Sequence, residues 1–469
     1  MPTAAERIAD FTRTLTLAAI PAEVRLAARL HLLDTLGCGL AAHALGIATE
    51  GRALLDEIGA PGAATAIGHP RRVHPAGAAF ANAMLGHGLD FDDTHGDSIC
   101  HVSVVVGLTA LAVAEARRAT GAALLAAVVA GNEVVTRLGM AASGTFHARG
   151  FHPTAVCGIF GAAAAAARLQ GLDGPTTTSA LGIAGSMASG LLAFLEDGSA
   201  TKPIHAGWAA HGAVIATQLA ARGAAGPRSV LEARFGLFHA FAGHDGIDLG
   251  PAVEDLGTRW ETRRIAYKAY PACHMMHGAL AALAEAAGDR TLAPEEIAEV
   301  VVRVPKSVVP IILEPAATKV APRTTYEAKF SLPYSAAAML LRGAVELATY
   351  SPAALGDPDL GAVARRVRYE THEYPTAARA FPGGARLHLR DGGVLEAECP
   401  YQKGAPENPL TPEEVRRKFR GNAALALSAP AIEALETGVL GLEEAADLSA
   451  VCAPLGALWP GVSPDSRSS

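Results

Sequence analysis

The residues best equipped for chemistry lie in "HGLDFDDTHGDSICH", from His87 to His101, where four aspartates and three histidines fall within fifteen residues. The whole chain is half apolar and only 18% charged, so acid–base groups concentrate here. Three readings suit these residue types: a metal site, a proton-transfer site, or a solvated acidic loop with one capping aspartate. Run as a helix, the stretch places His87, Asp90 and Thr94 at i, i+3 and i+7 on one face, with Asp92, Asp93 and His95 pointing elsewhere. An Asp-rich patch on a helical protein also suits a magnesium–diphosphate site. That chemistry needs a second ligand cluster and aromatic shelter for a carbocation, and the sequence presents neither.

Four further stretches set ionisable residues in apolar, Gly-rich surroundings. "RGFHPTAVCG" puts His152 before Pro153, where a helix starts and a lone His is more often a cap than a catalyst. "EDGSATKPIHAGWAAHG" carries Lys202 and His205, and the flanking "IHAGWAA" points to burial of a residue type that is usually solvated. "YKAYPACHMMH" holds Lys268, Cys273, His274 and His277, with Cys273 reading as a packed thiol before a nucleophile. "EAKFSLPYSAAAML" leads Tyr334 into an apolar helix, where the plain expectation is a core tyrosine with a bonded hydroxyl.

The elements that must position these groups are mostly helical. From residue 1 to about 245, apolar residues recur at three- and four-residue steps. "PAEVRLAARLHLLDTLGCGL" opens on Pro21 at a plausible first helical position. Segments such as "GIFGAAAAAARLQGLD" are apolar nearly all round, as buried helices are. Near residue 260 the character changes. "EVVVRVP", Glu299 to Pro305, is β-branched and reads as a strand, and "ARLHLRDGGVLEAEC" reads as a hairpin about Asp391-Gly392-Gly393. "NPLTPEEVRRKF" then carries a capping box, with Thr411 as N-cap, Pro412 at N1 and Glu414 at N3. The fold expected is mainly α: a large helical domain from residues 1–262 and 401–450, interrupted by a smaller α+β lid at 263–400. Residues 451–469 read as a C-terminal tail, with its end "GVSPDSRSS" disordered. A cleft between two such units is the usual place for a small molecule.

Composition narrows the partners. A formal charge of −7 and no basic footprint exclude nucleic acid as an expectation. Six cysteines without a CxxC pair suit a reducing cytosol rather than a disulfide framework. "MPTAAERIADFTRTLTLAAI" reads as an amphipathic helix, not a signal peptide. The apolar run Val102–Ala114 is too short for a membrane span. A cytoplasmic protein without a membrane partner is expected.

Taken together, eight stretches resemble the MmgE/PrpD family in order along residues 5 to 445. They are "LLDTLGCGLA", "HGLDFDDTH", "GFHPTAVCGIFGAAAAAARLQGL", "ALGIAGSMASGL", "TKPIHAGWAAHGA", "YPACHMMH", "KFSLPYSAA" and "KGAPENPLTPEEVRRKF". The family includes 2-methylcitrate dehydratase, cis-aconitate decarboxylase and iminodisuccinate epimerase. The resemblance implies a helical domain with an α+β lid, a homodimer, an active site in the cleft, and neither cofactor nor metal. Its active-site positions fall on Asp90, Thr94, His101, His152, Lys202, Lys268 and Tyr334, and Cys273 stands where some relatives carry His. One departure is Val102, where many relatives have proline after the His.

The family reactions form or quench a carbanion beside a carboxylate in a small polycarboxylic acid. That calls for a His to move a proton at carbon, expected of His101 with His152 as the alternative. It also calls for fixed positive charge, expected of Lys202 and Lys268. Asp90 would hold the His tautomer, Tyr334 would relay or donate a proton, and Thr94, Cys273 and His277 would contact substrate. The expected activity is a cofactor-independent hydro-lyase of the 2-methylcitrate dehydratase type, with epimerisation or decarboxylation as the alternative outcome. From other classes, a metal-dependent diphosphate enzyme or a non-catalytic metabolite binder stays open.

Overall fold

The computed structural model describes residues 1–243, 247–288, 290–376 and 380–456. The expected disorder of "GVSPDSRSS" concerns residues outside that set. The helical part packs α1 (Ala22–Ala44), α2 (Pro75–Gly88), α3 (Ser103–Arg117), α4 (Gly121–Ala141), α5 (Pro153–Leu169) and α6 (Lys202–Ala220) around one core. Small residues set how closely they approach. A Cβ on Gly131 of α4 would lie 2.7 Å from the Gly161 carbonyl of α5, and one on Gly161 only 2.4 Å from that of Gly131. Glycine at both places lets two backbones touch, and any side chain there would force the helices apart.

One helix, α4, is long and apolar enough to cross a membrane by length and composition, yet 89% of its apolar window is buried inside the fold. Its polar residues show what it does instead. Glu133 accepts hydrogen bonds from the Glu261 and Thr262 amides at 3.0 and 2.8 Å and from the Thr262 hydroxyl at 2.8 Å. Arg137 pairs with Asp255 and donates to the Arg259 carbonyl at 2.6 Å. The chain entering the second part of the molecule is therefore fastened to the buried face of α4.

Beyond that anchor, a two-stranded antiparallel ladder joins β1 (Thr94–His95) to β2 (Ile265–Ala266). A second core follows, built on α7 (His277–Ala287), α8 (Leu332–Arg342) and a four-stranded mixed sheet. The sheet contains β3 (Ile297–Val304), β4 (Val367–Thr371), β5 (Gly383–Leu389) and β6 (Val394–Cys399) in the order β4-β3-β5-β6. β3 and β4 run parallel, and the other two pairings are antiparallel, with β5 and β6 forming the hairpin expected around Asp391-Gly392-Gly393. This second core also takes in Leu192 and Phe194, contributed from far earlier in the chain.

The chain then returns to the helical part through α9 (Pro412–Ala423), opened by the Thr411–Glu414 capping box. Two more helices follow, α10 (Ala429–Leu440) and α11 (Ser449–Gly456). α11 buries Val451, Cys452 and Leu455 in the first core, so helix continues into what the sequence suggested was tail.

Candidate active site

α2 ends at Gly88, and Asp90 takes a left-handed backbone with φ 52°. The helical face expected through Thr94 therefore does not form, and the turn sends each aspartate to a different partner. Asp90 Oδ1 accepts from Lys202 Nζ at 2.6 Å and Lys268 Nζ at 2.9 Å, and Lys268 also bonds the Asp90 carbonyl at 2.8 Å. Asp92 Oδ2 lies 2.8 Å from His87 Nδ1 and 3.1 Å from His101 Nδ1. Asp93 Oδ1 accepts from the Val102 and Ser103 amides at 3.3 and 3.1 Å, capping α3, while its Oδ2 lies 2.9 Å from His31. All three carboxylates are 0% exposed, which overturns the solvated-loop reading. His95 is equally buried, between Ser98 at 3.0 Å and Glu261 at 3.3 Å. The valine after His101 has a consequence, since a proline there could not donate its amide to Asp93.

The lysines arrive from separate elements. Lys202 is the first residue of α6. Lys268 follows β2, whose pairing with β1 sets it beside Asp90. Sequence reasoning missed a third, Lys329, which donates to the Leu89 carbonyl and sits 5.5 Å from the Tyr350 ring. Its position between Ala and Phe in "EAKFSLPY" carries the apolar-flank signal that marked Lys202. His101 is placed by its amide, which donates to Thr154 Oγ1 at 3.0 Å in the first turn of α5. His152 caps the same helix, with its Nδ1 3.2 Å from His205 Nδ1. The His87 and His101 rings meet edge to face at 4.5 Å.

Seven of the expected residues, Asp90, Thr94, His101, His152, Lys202, Lys268 and Cys273, line one cleft of about 550 Å³, part of it open to solvent. The Thr94 hydroxyl there is buried without a partner. Burial raises the Cys273 thiol, keeping it protonated and a poor nucleophile. Two expected residues lie elsewhere. The Tyr334 hydroxyl donates to the Thr349 carbonyl at 2.8 Å inside the second core, so the proton relay expected of it has no path to the cleft. His277 is turned toward the Ala272 carbonyl at 3.3 Å, beneath the His274 ring.

Electrostatics sorts the roles. Burial alone would raise the Asp90 carboxyl, but Lys202 and Lys268 outweigh it and hold it well below the usual range. Burial is likewise outweighed at Asp92 by His87 and His101, which keep it ionised. His101 is pushed down to about 4, by burial first, against the pull of Asp92 and with the help of Lys202. At neutral pH its imidazole is uncharged. The ionised Asp92, 3.1 Å from Nδ1, favours the tautomer with its proton on that nitrogen, and the Nε2 lone pair then faces Lys202 Nζ at 3.4 Å. Asp92, not the expected Asp90, thus holds the tautomer. The helical reading hid this by pointing Asp92 away.

Among the described residues, two sets of groups converge closely enough to hold a metal, His87 with His101 and His152, and Asp90 with Asp92 and His101. The sequence offered no second cluster because His152 is remote in the chain. Two ammonium groups already occupy Asp90, so a divalent cation there would meet direct repulsion.

Comparison with known proteins agrees with this layout. The MmgE/PrpD N-terminal domain matches residues 6–250 and the MmgE/PrpD C-terminal domain residues 270–442. Human cis-aconitate decarboxylase is 31% identical over 451 residues, covering 92% of this chain and 89% of that protein. The mouse cis-aconitate decarboxylase is 31% identical over 389 residues, covering 81% and 78%. The cis-aconitate decarboxylase-like protein oryM of Aspergillus oryzae is 28% identical over 454 residues, covering 92% and 93%.

Proposed function

Because the chain belongs to the MmgE/PrpD family, an enzyme family acting on small carboxylates, we propose that it is a lyase working through a carbanion, with loss of CO2 as its leading outcome. The observation that carries this reading is the uncharged His101, its Nε2 beside Lys202, next to a carboxylate that two lysines share. Substrate carboxylates would take hydrogen bonds from Lys202, Lys268 and the free Thr94 hydroxyl. When an unsaturated tricarboxylate loses CO2, the breaking C–C bond leaves its electron pair as an allylic carbanion spread onto the neighbouring carboxylate. The lysines stabilise that charge. One proton, delivered to the far carbon from the Lys202–His101 pair, completes the product.

The relatives named for decarboxylation weigh toward this outcome over the dehydration expected from sequence. Dehydration remains the second reading, favoured by one feature: an uncharged His101 is already a base, able to take a proton from carbon before hydroxide leaves. In either case bound carboxylates would raise the His101 pKa toward neutrality. The test is a panel of citrate-like, aconitate-like and amino-dicarboxylate acids in deuterated water, followed by NMR. Carboxylate loss with one deuterium at carbon supports decarboxylation, water loss or gain supports the second reading, and wash-in without other change means epimerisation. No turnover of any acid would overturn the proposal.

We also propose a homodimer. α6 leaves Ile204, Trp208 and Leu219 exposed, an apolar row that a second copy could cover. Sedimentation of Trp208→Glu as a monomer, against a dimeric parent, would support it.

A further inference from the structure

The cleft adjoins a wider outer chamber of about 1220 Å³, part of it likewise open to solvent, whose wall includes Ser307, Glu373 and Tyr374. Five residues line both spaces and so form the throat between them: Ile99, His147, Met275, Ile311 and Phe381. Four of these side chains are apolar. His147 is the exception, and it is not among the residues expected from sequence.

The throat is firmly built. Ile99 takes a left-handed backbone with φ 56°, a costly conformation for a β-branched residue, so the surrounding structure must hold it there. His147 lies in a one-turn helix, Thr145–Ala148, anchored by the buried Phe146, whose ring stacks on Phe238 at 5.7 Å. The turn that follows is tied twice. The Phe151 amide donates to the Phe146 carbonyl at 2.9 Å, and the Leu192 amide donates to the Gly150 carbonyl at 2.8 Å.

Among the described residues, four histidines line the cleft. His101 is engaged with Asp92, His152 with His205, and both His274 nitrogens are buried. His147 is only partly buried and makes no hydrogen bond to another described residue. Burial first, and then the charge of Lys202, lower its pKa, so at neutral pH the ring is uncharged and offers one N–H.

The charge of the cleft shows where such a donor is needed. Lys202 and Lys268 share Asp90, and no arginine lines the cleft, so two ammonium groups are at hand for carboxylates. An acid with two carboxylates is served by them. A third carboxylate, directed away from the lysines, would enter the apolar throat and lose its hydration without return unless a donor met it there.

We propose that His147 is a specificity-determining residue: its ring N–H bonds the carboxylate of the bound acid furthest from Lys202 and Lys268, and so favours acids with three carboxylates over acids with two. The proposal rests on the carboxylate-lyase reading and assigns a further residue to that site.

Calorimetry with two saturated acids, succinate and tricarballylate, compares the two cases without turnover. In His147→Leu, tricarballylate should bind roughly 10- to 100-fold more weakly, the loss of one hydrogen bond to a charged group, while succinate changes by less than about twofold. His147→Gln keeps an N–H and should recover most of the loss. Equal loss for both acids, no loss for tricarballylate, or no recovery in His147→Gln overturns the proposal and leaves the lyase reading intact. If the parent protein binds neither acid, the carboxylate reading falls and the proposal falls with it. Unfolding midpoints check that the variants fold, and His147→Ala replaces His147→Leu if the latter does not.

Discussion

Two buried ionic clusters grow from one short loop, and they differ in what they lack. Around the cleft, Lys202, Lys268 and Lys329 gather near Asp90 and Asp92. Across the loop, Lys418 serves Asp34 at 2.9 Å and the Phe91 carbonyl at 2.8 Å, while His31 meets Asp93 and stacks on Tyr267 at 4.2 Å. The first cluster has cations in excess and an unpartnered Thr94 hydroxyl. The second has carboxylates in excess, and its lysine is fully engaged holding α9 and α1 to the loop. Burial and charge are common to both, so neither marks a catalytic site. What the proposed site has alone of the two is a shortage of anion beside an open cleft.

The largest effect expected from this contrast is on turnover. His101→Gln keeps a hydrogen-bonding side chain without the base, and turnover should fall by roughly 10²–10⁴-fold while inhibitor binding and folding survive. If His152→Gln abolishes activity and His101→Gln does not, the proton-transfer role moves to His152. In the other cluster Lys418→Met should do the reverse. It strands the buried Asp34 and should cost about 3–5 kcal/mol of stability in a urea titration, with kcat per folded molecule nearly unchanged. A large loss of kcat there would erase the distinction between the clusters. Lys202→Met should weaken dicarboxylate inhibitors by about 1.5–3 kcal/mol, read as an inhibition constant. An unchanged constant would remove Lys202 from the substrate's reach.

Acid should sharpen the same contrast. His101 and His205 are held down to about 4 and His277 to about 3, burial being the first cause in each. The unfolded chain takes up protons near pH 6.5 that the fold excludes, so stability should drop from about pH 6.5 down toward 4. Asp90 and Asp92, held low, stabilise the fold above the ordinary carboxyl pKa and lose that contribution only as pH falls through their depressed values. Asp34 has the opposite sign, because burial raises its carboxyl despite Lys418, and protonation relieves it. Urea midpoints between pH 7 and 4 should fall, less steeply in His101→Gln, and a flat profile would contradict the uncharged histidines. The smallest effect is expected from chelation. Dialysis against EDTA should leave turnover unchanged, and activity restored by a divalent ion would give the convergent histidines a ligand role.

The sequence carried much of this architecture in local signals. The Thr411 capping box, the Asp391-Gly392-Gly393 hairpin and the β-branched run at Glu299 each depend on neighbours a few residues away. The partners of the aspartates do not. His95 is buried because Glu261 reaches it from 166 residues further on, and no local pattern announces that. Asp92 was turned the wrong way by assuming helix across Asp90, where a left-handed residue ends it. Tyr334 shows the converse: its apolar helix already favoured a bonded core hydroxyl, and family resemblance argued for more than that context supports.

The short ladder between Thr94–His95 and Ile265–Ala266, with Glu133 gripping Glu261 and Thr262 just before it, sets one wall of the cleft against the other. These bonds fasten the root of the second unit to the helical part, and Lys268 stands two residues past them. Lys329 makes a second tie from the later part of that unit, to the Leu89 carbonyl at the end of α2. The positive charge of the cleft is therefore held from both sides of the joint, by Lys202 on α6 and by Lys268 just past the ladder.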